Sequence, residues 1–267
     1  MAQHISVHQS DEPYRRALVT CYGRMAATRR ELIGRDPARP SRFKAPPYAA
    51  PEEFLADLDI MAASLKDNGD PDLADGRLQA MRDAVSAFGF HLAGMDLRQN
   101  ADVHERAVGE LLRVAQAGPD YATLPEDARA KLLLYELSHP RLLRSPRAAY
   151  SEETRRELDI VDQAARLRRL FGAGAVTNYV ISKAATVSDM LETAILMKEA
   201  GLFVPGEAPQ AALRIIPLFE TIADLRQAEQ VMERYFAHPM VRAMIAEQDH
   251  LQEIMIGYSD SNKDGGY

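Results

Sequence analysis

The sequence lacks the features of membrane-spanning, secreted and nucleic-acid-binding proteins. It has a single cysteine, Cys21, which cannot form an internal disulfide, and this fits a reducing cytosol. No apolar run approaches the roughly 18 residues of a membrane-spanning helix. The first residues have neither the basic start nor the apolar core of a secretory signal. The net charge of −7 argues against a nucleic-acid partner, since such proteins are usually basic overall. We therefore expect a cytoplasmic protein with no membrane or nucleic-acid partner.

Residues 1–88 are predicted to form a mostly helical region. A second helix is expected from Pro71 to Phe88, after the break at 68–71, and Cys21 is expected to pack inside a helical segment. Apolar residues recur at helix spacing ahead of that break and predict one buried stripe: Phe54, Leu55, Leu58, Met61, Ala62 and Leu65.

After residue 88 the pattern changes to short apolar runs of strand length. There are four of them: Phe90 to Leu97, Val176 to Ile181, Leu213 to Phe219 and Glu253 to Tyr258. The first three are followed by a polar turn and by residue pairs that typically begin a helix: Asp102 with Glu105, Thr186 with Asp189, and Thr221 with Asp224. Strand, turn and helix in repetition predict parallel strands with helices packed outside them.

These units predict an α/β, mainly helical fold, a partial (β/α)8 TIM-type barrel with inserted and preceding helices. Residues 89–267 are expected to form four βα-type units of the barrel. The long interval after the first unit must hold a helical insertion at about 120–172, with helices from Glu126 to Leu143 and from Glu152 to Phe171. Four strands do not close a barrel, and the last has no predicted helix after it. The sequence is therefore expected to be a truncated segment that self-associates through its exposed edges.

Charged residues follow or end three of the predicted strands, at Arg98, Glu220 and Asp260, and Lys183 and Lys263 lie in the adjoining loops. In a (β/α)8 barrel the active site lies at the carboxyl ends of the strands. Two carboxylates beside an arginine and a lysine are suited to a Mg²⁺ ion and a phosphoryl group. The alternative is that strands end in charged residues simply because they end at solvent, and the pattern alone leaves both readings open.

Histidine gives no comparable signal. The spacing of the histidines does not match a metal site, and we expect them at the surface or at helix ends: His91, His104, His139, His238 and His250.

The segment from Ile254 to Gly266, IMIGYSDSNKDGG, resembles the second signature of the phosphoenolpyruvate carboxylases throughout its length. Three further segments resemble the family in the same order: Phe88 to Asn100 (FGFHLAGMDLRQN), Asn178 to Gly201 (NYVISKAATVSDMLETAILMKEAG) and Ile216 to Leu225 (IPLFETIADL). The resemblance runs from about residue 11 to the end. The SNKDGG turn is similar to that of a bacterial subgroup.

The resemblance implies a function and a role for each candidate residue. Glu220 and Asp260 would bind Mg²⁺ (or Mn²⁺), Arg98 would hold the substrate phosphate and act in catalysis, and Lys263 would act beside it, near bicarbonate or phosphate. The family carboxylates phosphoenolpyruvate with bicarbonate and releases oxaloacetate and phosphate. A homo-oligomer is implied, with a tetramer for the full-length protein.

The sequence departs from the family pattern in four places. The first signature, a TAHPT-type motif with a catalytic histidine, is absent, as is the later glycine-rich HGRGG-type loop. Lys183 stands where the family usually has an apolar residue, and Ala101 where serine is common. We therefore expect the isolated chain to be inactive as a carboxylase. A non-catalytic binding or scaffold module derived from the barrel, or another phosphoenolpyruvate-handling barrel enzyme, remain the alternatives.

Overall fold

The computed structural model describes residues 11–41 and 43–266, which divide into two compact units. One unit contains the described residues up to Ala93 together with Leu170–Gly174. The other contains Gly94–Arg169 and the described residues from Ala175 onward. The predicted division at residue 88 stays a prediction. Within the described ranges, no helix is long and apolar enough to cross a membrane.

The first unit is helical. Its helices are α1 (Pro13–Ile33), α2 (Pro51–Asp67), α3 (Pro71–Leu73) and α4 (Gln79–Phe88), with a π-helical segment at Ala74–Leu78 between the last two. A proline begins each of the first three, where its missing N–H costs nothing. The helix predicted from Pro71 to Phe88 is thus present as three consecutive helical segments.

The core of the first unit confirms four of the six residues of the predicted stripe, while Leu55 and Leu65 are only partly buried. Phe54, Leu58, Met61 and Ala62 of α2 are buried, and Cys21 of α1 is buried in the same unit, as expected of a packing residue. Tyr48 and Val85 belong to this core as well.

The second unit alternates strands and helices. Its main elements are β1 (Met95–Asn100), α5 (Ala101–Val114), α6 (Glu126–Leu137), α7 (Glu152–Phe171), β2 (Val176–Ser182), α8 (Val187–Glu199), β3 (Phe203–Val204), β4 (Gln210–Ala211), β5 (Arg214–Phe219), α9 (Ile222–Ala237), α10 (Pro239–Ala246), β6 (Met255–Ile256) and α11 (Tyr258–Gly265). Short 3-10 turns lie at Tyr121–Thr123 and Ala173–Ala175, and the residues of α7 and of the second turn that fall in Leu170–Gly174 belong to the first unit. Both predicted inserted helices are present, although α6 ends at Leu137.

Four strands form one parallel sheet in the order β1-β2-β5-β6, and β3 pairs with β4 in a separate antiparallel ribbon. This confirms the prediction of parallel strands in a mainly helical α/β protein. Helices cover one face of the sheet, where Tyr179, Ile181 and Phe219 join the main core. Val180, Ile216 and Leu218, on the opposite face, form a separate cluster.

Helix α8 lies at the centre of this core, since all thirteen of its residues are buried. The predicted helix starts at Thr186 and Thr221 are confirmed. The Thr186 amide donates to Asp189 Oδ2 at 2.9 Å, and the Thr221 amide donates to Asp224 Oδ2 at 3.0 Å.

Three predictions about element boundaries are wrong. The first strand is not Phe90 to Leu97 but β1, because residue 90 packs on the helical core of the first unit and the chain turns at Leu92, whose φ is 70°. Asn100, rather than Asp102, precedes the first residue of α5 as its cap. A helix, α11, occupies the segment after the fourth strand, where none was predicted.

Candidate metal and phosphate site

The candidate residues lie at the carboxyl edge of the parallel sheet. Glu220 directly follows β5, as predicted. Arg98 lies within β1, two residues before the strand ends, so the prediction that it terminates the strand is wrong. Asp260 lies in the first turn of α11, not at a strand end, because the chain enters a helix directly after β6. Parallel strands direct their carboxyl ends to one edge, which brings these three positions to the same side of the sheet.

Arg98 is held between a serine and a glutamate. Its Nε donates to Ser182 Oγ at 2.8 Å, and its Nη2 lies 3.6 Å from Glu220 Oε1. The Arg98 side chain is 56% exposed, whereas that of Glu220 is only 18% exposed. The guanidinium therefore reaches solvent while its inner edge is fixed by the protein.

Glu220 carries an unsatisfied oxygen. Within the described part of the chain, Oε1 is buried and accepts no hydrogen bond, since the Arg98 nitrogen lies beyond hydrogen-bonding distance. A buried carboxylate oxygen without a hydrogen-bond partner is costly, and such atoms commonly mark a position where a water or an ion binds.

Gly257 brings Asp260 close to Glu220. The Gly257 amide donates to Phe219 O at 3.1 Å, which ties the start of α11 to the end of β5. A Cβ at Gly257 would lie 3.3 Å from Asp260 Oδ2 and 3.4 Å from Glu220 Cα. The lack of a side chain at this position therefore allows the Asp260 carboxylate to approach the backbone of Glu220.

The opposite end of α11 is attached to α9. Asp264 Oδ2 accepts from the amide of Ile222, the first residue of α9, at 3.0 Å. Gly265 packs on the same residue, because a Cβ there would come within 2.3 Å of Ile222 Cδ1. The helix that carries Asp260 is thus attached at both ends to residues flanking Glu220.

The two candidate lysines differ in their surroundings. Lys263 Nζ lies 3.8 Å from Asp260 Oδ1 and its side chain is 81% exposed, so it can reach an anion held at this edge. Lys183 has a left-handed backbone with φ of 58° and lines a cavity of about 460 Å³ with Asp102, Glu105 and Arg129. A hydrogen bond from Arg106, with a smaller effect of Lys183, keeps the pKa of Asp102 below its usual value.

The side chains present fit a magnesium ion bound partly by water. No cluster of three or more potential metal-ligating side chains occurs among the residues that the structure describes. Mg²⁺, however, is commonly held by one or two carboxylates and keeps several waters. The unsatisfied oxygen of Glu220, and the carboxylate of Asp260 near the Glu220 backbone, suit that coordination.

Sequence reasoning missed Ser182 at this site. The residue is 5% exposed and occupies the last position of β2. The feature that reveals Ser182 is the pairing register of β1 with β2. Arg98 pairs with Val180, so Ser182, two residues further, points to the same face. Without the pairing of β1 with β2, the sequence alone does not reveal this relation.

Fold and site together define an α/β protein with an arginine and carboxylates grouped at the carboxyl edge of a parallel sheet. The chain belongs to the phosphoenolpyruvate carboxylase family, whose family model matches residues 1–267. This confirms the family resemblance of the four sequence segments.

Curated relatives agree with that assignment. The chain is 51% identical over 263 residues to a phosphoenolpyruvate carboxylase of Aromatoleum aromaticum, covering 98% of this chain and 29% of the relative. It is 49% identical over 260 residues to one of Mycobacterium avium, covering 97% of this chain and 28% of the relative. It is 47% identical over 267 residues to one of Caulobacter vibrioides, covering 100% of this chain and 29% of the relative. The chain therefore spans less than a third of the length of these relatives.

Proposed function

We propose that this chain supplies part of the active site of a phosphoenolpyruvate carboxylase, which converts phosphoenolpyruvate and bicarbonate to oxaloacetate and phosphate. The observation that carries the proposal is the position of Glu220, with Arg98 3.6 Å from its carboxylate and Asp260 near its backbone at Gly257, in a chain that belongs to this family. Cytoplasmic location and a homo-oligomeric parent protein, a tetramer at full length, are part of the same proposal.

The proposal includes a partial (β/α)8 barrel. Its support is the strand order, which follows the chain without reversal. A doubly wound sheet reverses its order where the helices change face, whereas a barrel does not. Coverage of one sheet face by helices and a separate cluster on the other agree with a barrel wall.

Arg98 is proposed to bind the phosphate of phosphoenolpyruvate. Its guanidinium is permanently charged, and the nitrogens left free by Ser182 form a planar pair suited to two phosphate oxygens. Lys263 is proposed to add a mobile positive charge near bicarbonate or the transferred phosphate.

Glu220 and Asp260 are proposed to hold Mg²⁺ (or Mn²⁺). When bound, the ion would supply positive charge that stabilises negative charge developing on substrate oxygens. The two carboxylates would also offset the positive charge of Arg98 and Lys263 when no substrate is present.

The proposed reaction proceeds in two stages. Bicarbonate oxygen attacks the phosphorus of phosphoenolpyruvate, the bond from phosphorus to the enol oxygen breaks, and carboxyphosphate and the enolate of pyruvate form. Carboxyphosphate then releases CO₂ and phosphate, and the enolate carbon attacks CO₂ to form oxaloacetate. Arg98 stabilises the charge on the phosphoryl oxygens during the first stage.

We expect the isolated chain to lack this turnover, because the TAHPT-type and HGRGG-type motifs are absent from it. Binding is therefore the first test. Calorimetry should show that Mg²⁺ strengthens phosphoenolpyruvate binding, and that Glu220→Gln and Asp260→Asn each remove the metal effect. Arg98→Gln should weaken phosphoenolpyruvate binding at least about 10-fold, as loss of a charged phosphate contact does.

Glu229→Gln is the matched control, since Glu229 is an exposed carboxylate on α9. It should bind as the unaltered chain does. Binding that is independent of metal and unchanged by all three site variants would contradict the proposal and favour a non-catalytic module. Oxaloacetate formation at an ordinary rate would contradict the need for the absent motifs.

A further inference from the structure

We infer that Ser182 is a positioning residue for Arg98, fixing the guanidinium so that it offers only its two terminal nitrogens to an anion. The inference deepens the proposed function and rests on it for the identity of that anion. The contact itself, from Arg98 Nε to Ser182 Oγ at 2.8 Å, is independent of that function.

The sheet register produces this contact. Arg98 of β1 pairs with Val180 of β2, and Asn100 pairs with Ser182. Side chains two residues apart on a strand share a face, so Ser182 lies diagonally ahead of Arg98 on the same face. The arginine side chain therefore leans along the sheet toward the carboxyl edge, where Glu220 lies 3.6 Å from its Nη2.

Burial differs sharply across this contact. Ser182 is 5% exposed, whereas the Arg98 side chain is 56% exposed. An exposed arginine normally samples many rotamers and loses that freedom when it binds a ligand. A buried hydroxyl on a strand, already fixed by the backbone ladder, restricts this freedom before the ligand arrives.

The contact also selects which edge of the guanidinium binds. An arginine can present either Nε with one terminal nitrogen or both terminal nitrogens to an anion. Because Nε is already donating to Ser182, the terminal pair remains. This pair faces the side where Glu220 lies, which brings the bound anion beside the candidate metal ligands.

Ser182 is not needed to hold the strands together. Its pairing with Asn100 uses the backbone, and removal of the hydroxyl leaves that ladder intact. If Ser182 had a purely structural role, loss of its hydroxyl would change the free energy of unfolding but not the solvent exchange of the Arg98 Nε–H. If Ser182 positions Arg98, loss of the hydroxyl changes that exchange and leaves the free energy of unfolding unchanged.

Two measurements test the inference on the full chain: solvent exchange of the Arg98 Nε–H by NMR, and phosphoenolpyruvate affinity in Mg²⁺ by calorimetry. In Ser182→Ala the Nε–H should exchange several-fold faster. Affinity should weaken about 5-fold, the size expected for one hydrogen bond. Ser182→Cys keeps the side-chain volume, but its thiol accepts hydrogen bonds poorly, so this variant should show the same two changes as Ser182→Ala. Ser182→Thr keeps the hydroxyl and should restore the exchange rate and the affinity of the unaltered chain. Ser138→Ala, at the end of α6, is the control and should change neither.

An unchanged Nε–H exchange rate in Ser182→Ala and Ser182→Cys overturns the inference, and so does unchanged affinity in both variants. The proposed function fails separately, if Arg98→Gln binds phosphoenolpyruvate as well as the unaltered chain. In that case the Nε–H exchange rate alone decides whether Ser182 positions Arg98.

Discussion

His104 and Tyr179 share a buried hydrogen bond, with His104 Nε2 2.9 Å from the Tyr179 hydroxyl and their rings meeting edge-on. On the other side of the ring, Nδ1 lies 3.1 Å from Thr193 Oγ1, which itself donates to the carbonyl of Asp189. Thr193 must then accept from Nδ1, so Nε2 accepts from Tyr179. The expectation that His104 lies at the surface or a helix end is wrong, because it is fully buried in α5 as a neutral ring.

The first prediction concerns acid stability. Burial lowers the pKa of His104 to about 4, from an ordinary value of 6.5. The unfolded chain therefore takes up the proton first, and stability present above pH 6.5 is lost as pH falls toward 4. This should cost about 3 kcal/mol in free energy of unfolding across that window. His104→Gln, which cannot titrate, should remove this part of the pH dependence of the free energy of unfolding measured with urea. His250→Gln, at an exposed position, should keep this pH dependence. An equal pH dependence in both variants would contradict its assignment to His104.

The second prediction concerns Glu192, in the buried helix α8. Its Oε1 accepts from the Tyr121 hydroxyl at 2.5 Å, while Oε2 is buried and lacks a partner within the described ranges. Burial, reinforced by Asp189, raises the pKa of Glu192 well above its ordinary value of 4.5. The folded chain thus keeps a proton that the unfolded chain loses, and the stability this provides below pH 4.5 is lost as pH rises.

Glu192→Gln should therefore gain stability over the unaltered chain as pH increases. We expect this relative gain in free energy of unfolding to grow steadily from pH 5 to pH 8, measured by chemical denaturation. The control is Glu152→Gln, whose side chain is 82% exposed on α7. A Glu192→Gln curve parallel to that of the unaltered chain would show that the carboxyl group is not protonated in the fold.

The third prediction concerns Lys198, which is 2% exposed. Its Nζ donates to the carbonyls of Glu136, His139 and Arg141 at 2.6, 3.2 and 2.9 Å, and so completes the end of α6. Lys198→Met keeps the apolar stem but leaves three carbonyls without their donor. We expect a loss of about 2–4 kcal/mol in free energy of unfolding. Lys131→Met, exposed on α6, should change it by less than about 0.5 kcal/mol, and similar values for both would contradict the role.

The fourth prediction concerns the attachment of α11. Because Asp264 accepts from the Ile222 amide, Asp264→Ala should raise hydrogen exchange at that amide about 5-fold, the effect of one ordinary hydrogen bond. Asp264→Asn retains a hydrogen-bond acceptor, so the Ile222 amide should exchange more slowly in this variant than in Asp264→Ala. Glu233→Ala, exposed on α9, serves as the control. Unchanged exchange at Ile222 in Asp264→Ala would mean that the contact does not hold the helix.

Local patterns predicted the parts of the fold that local interactions stabilise. Thr186 and Thr221 begin helices because their capping partners lie three residues further on, within reach of the same turn. The last three predicted strands overlap the observed ones, and two of these, β2 and β5, are largely buried parallel strands, which need continuous apolar runs.

Features that depend on contacts between distant segments were predicted less well. The polar, glycine-rich sequence of α11 is typical of a turn, yet it is helical where Asp264 and Gly265 pack against Ile222. The helix predicted after Thr186 gave no sign that the charged residues of α8 are buried, because their partners lie on α6 and in the loops around it.

The order of residues alone was enough to establish the family, the parallel βα arrangement and the identity of Arg98, Glu220 and Asp260 as candidates. A long signature motif and a helix cap both depend on residues that lie near one another in the chain. Which atoms meet was decided by the tertiary structure. The sheet register placed Ser182 against Arg98, and the contact of Gly257 with the end of β5 placed Asp260 near the backbone of Glu220. Such contacts join segments far apart in the chain, and only the folded backbone fixes their distances.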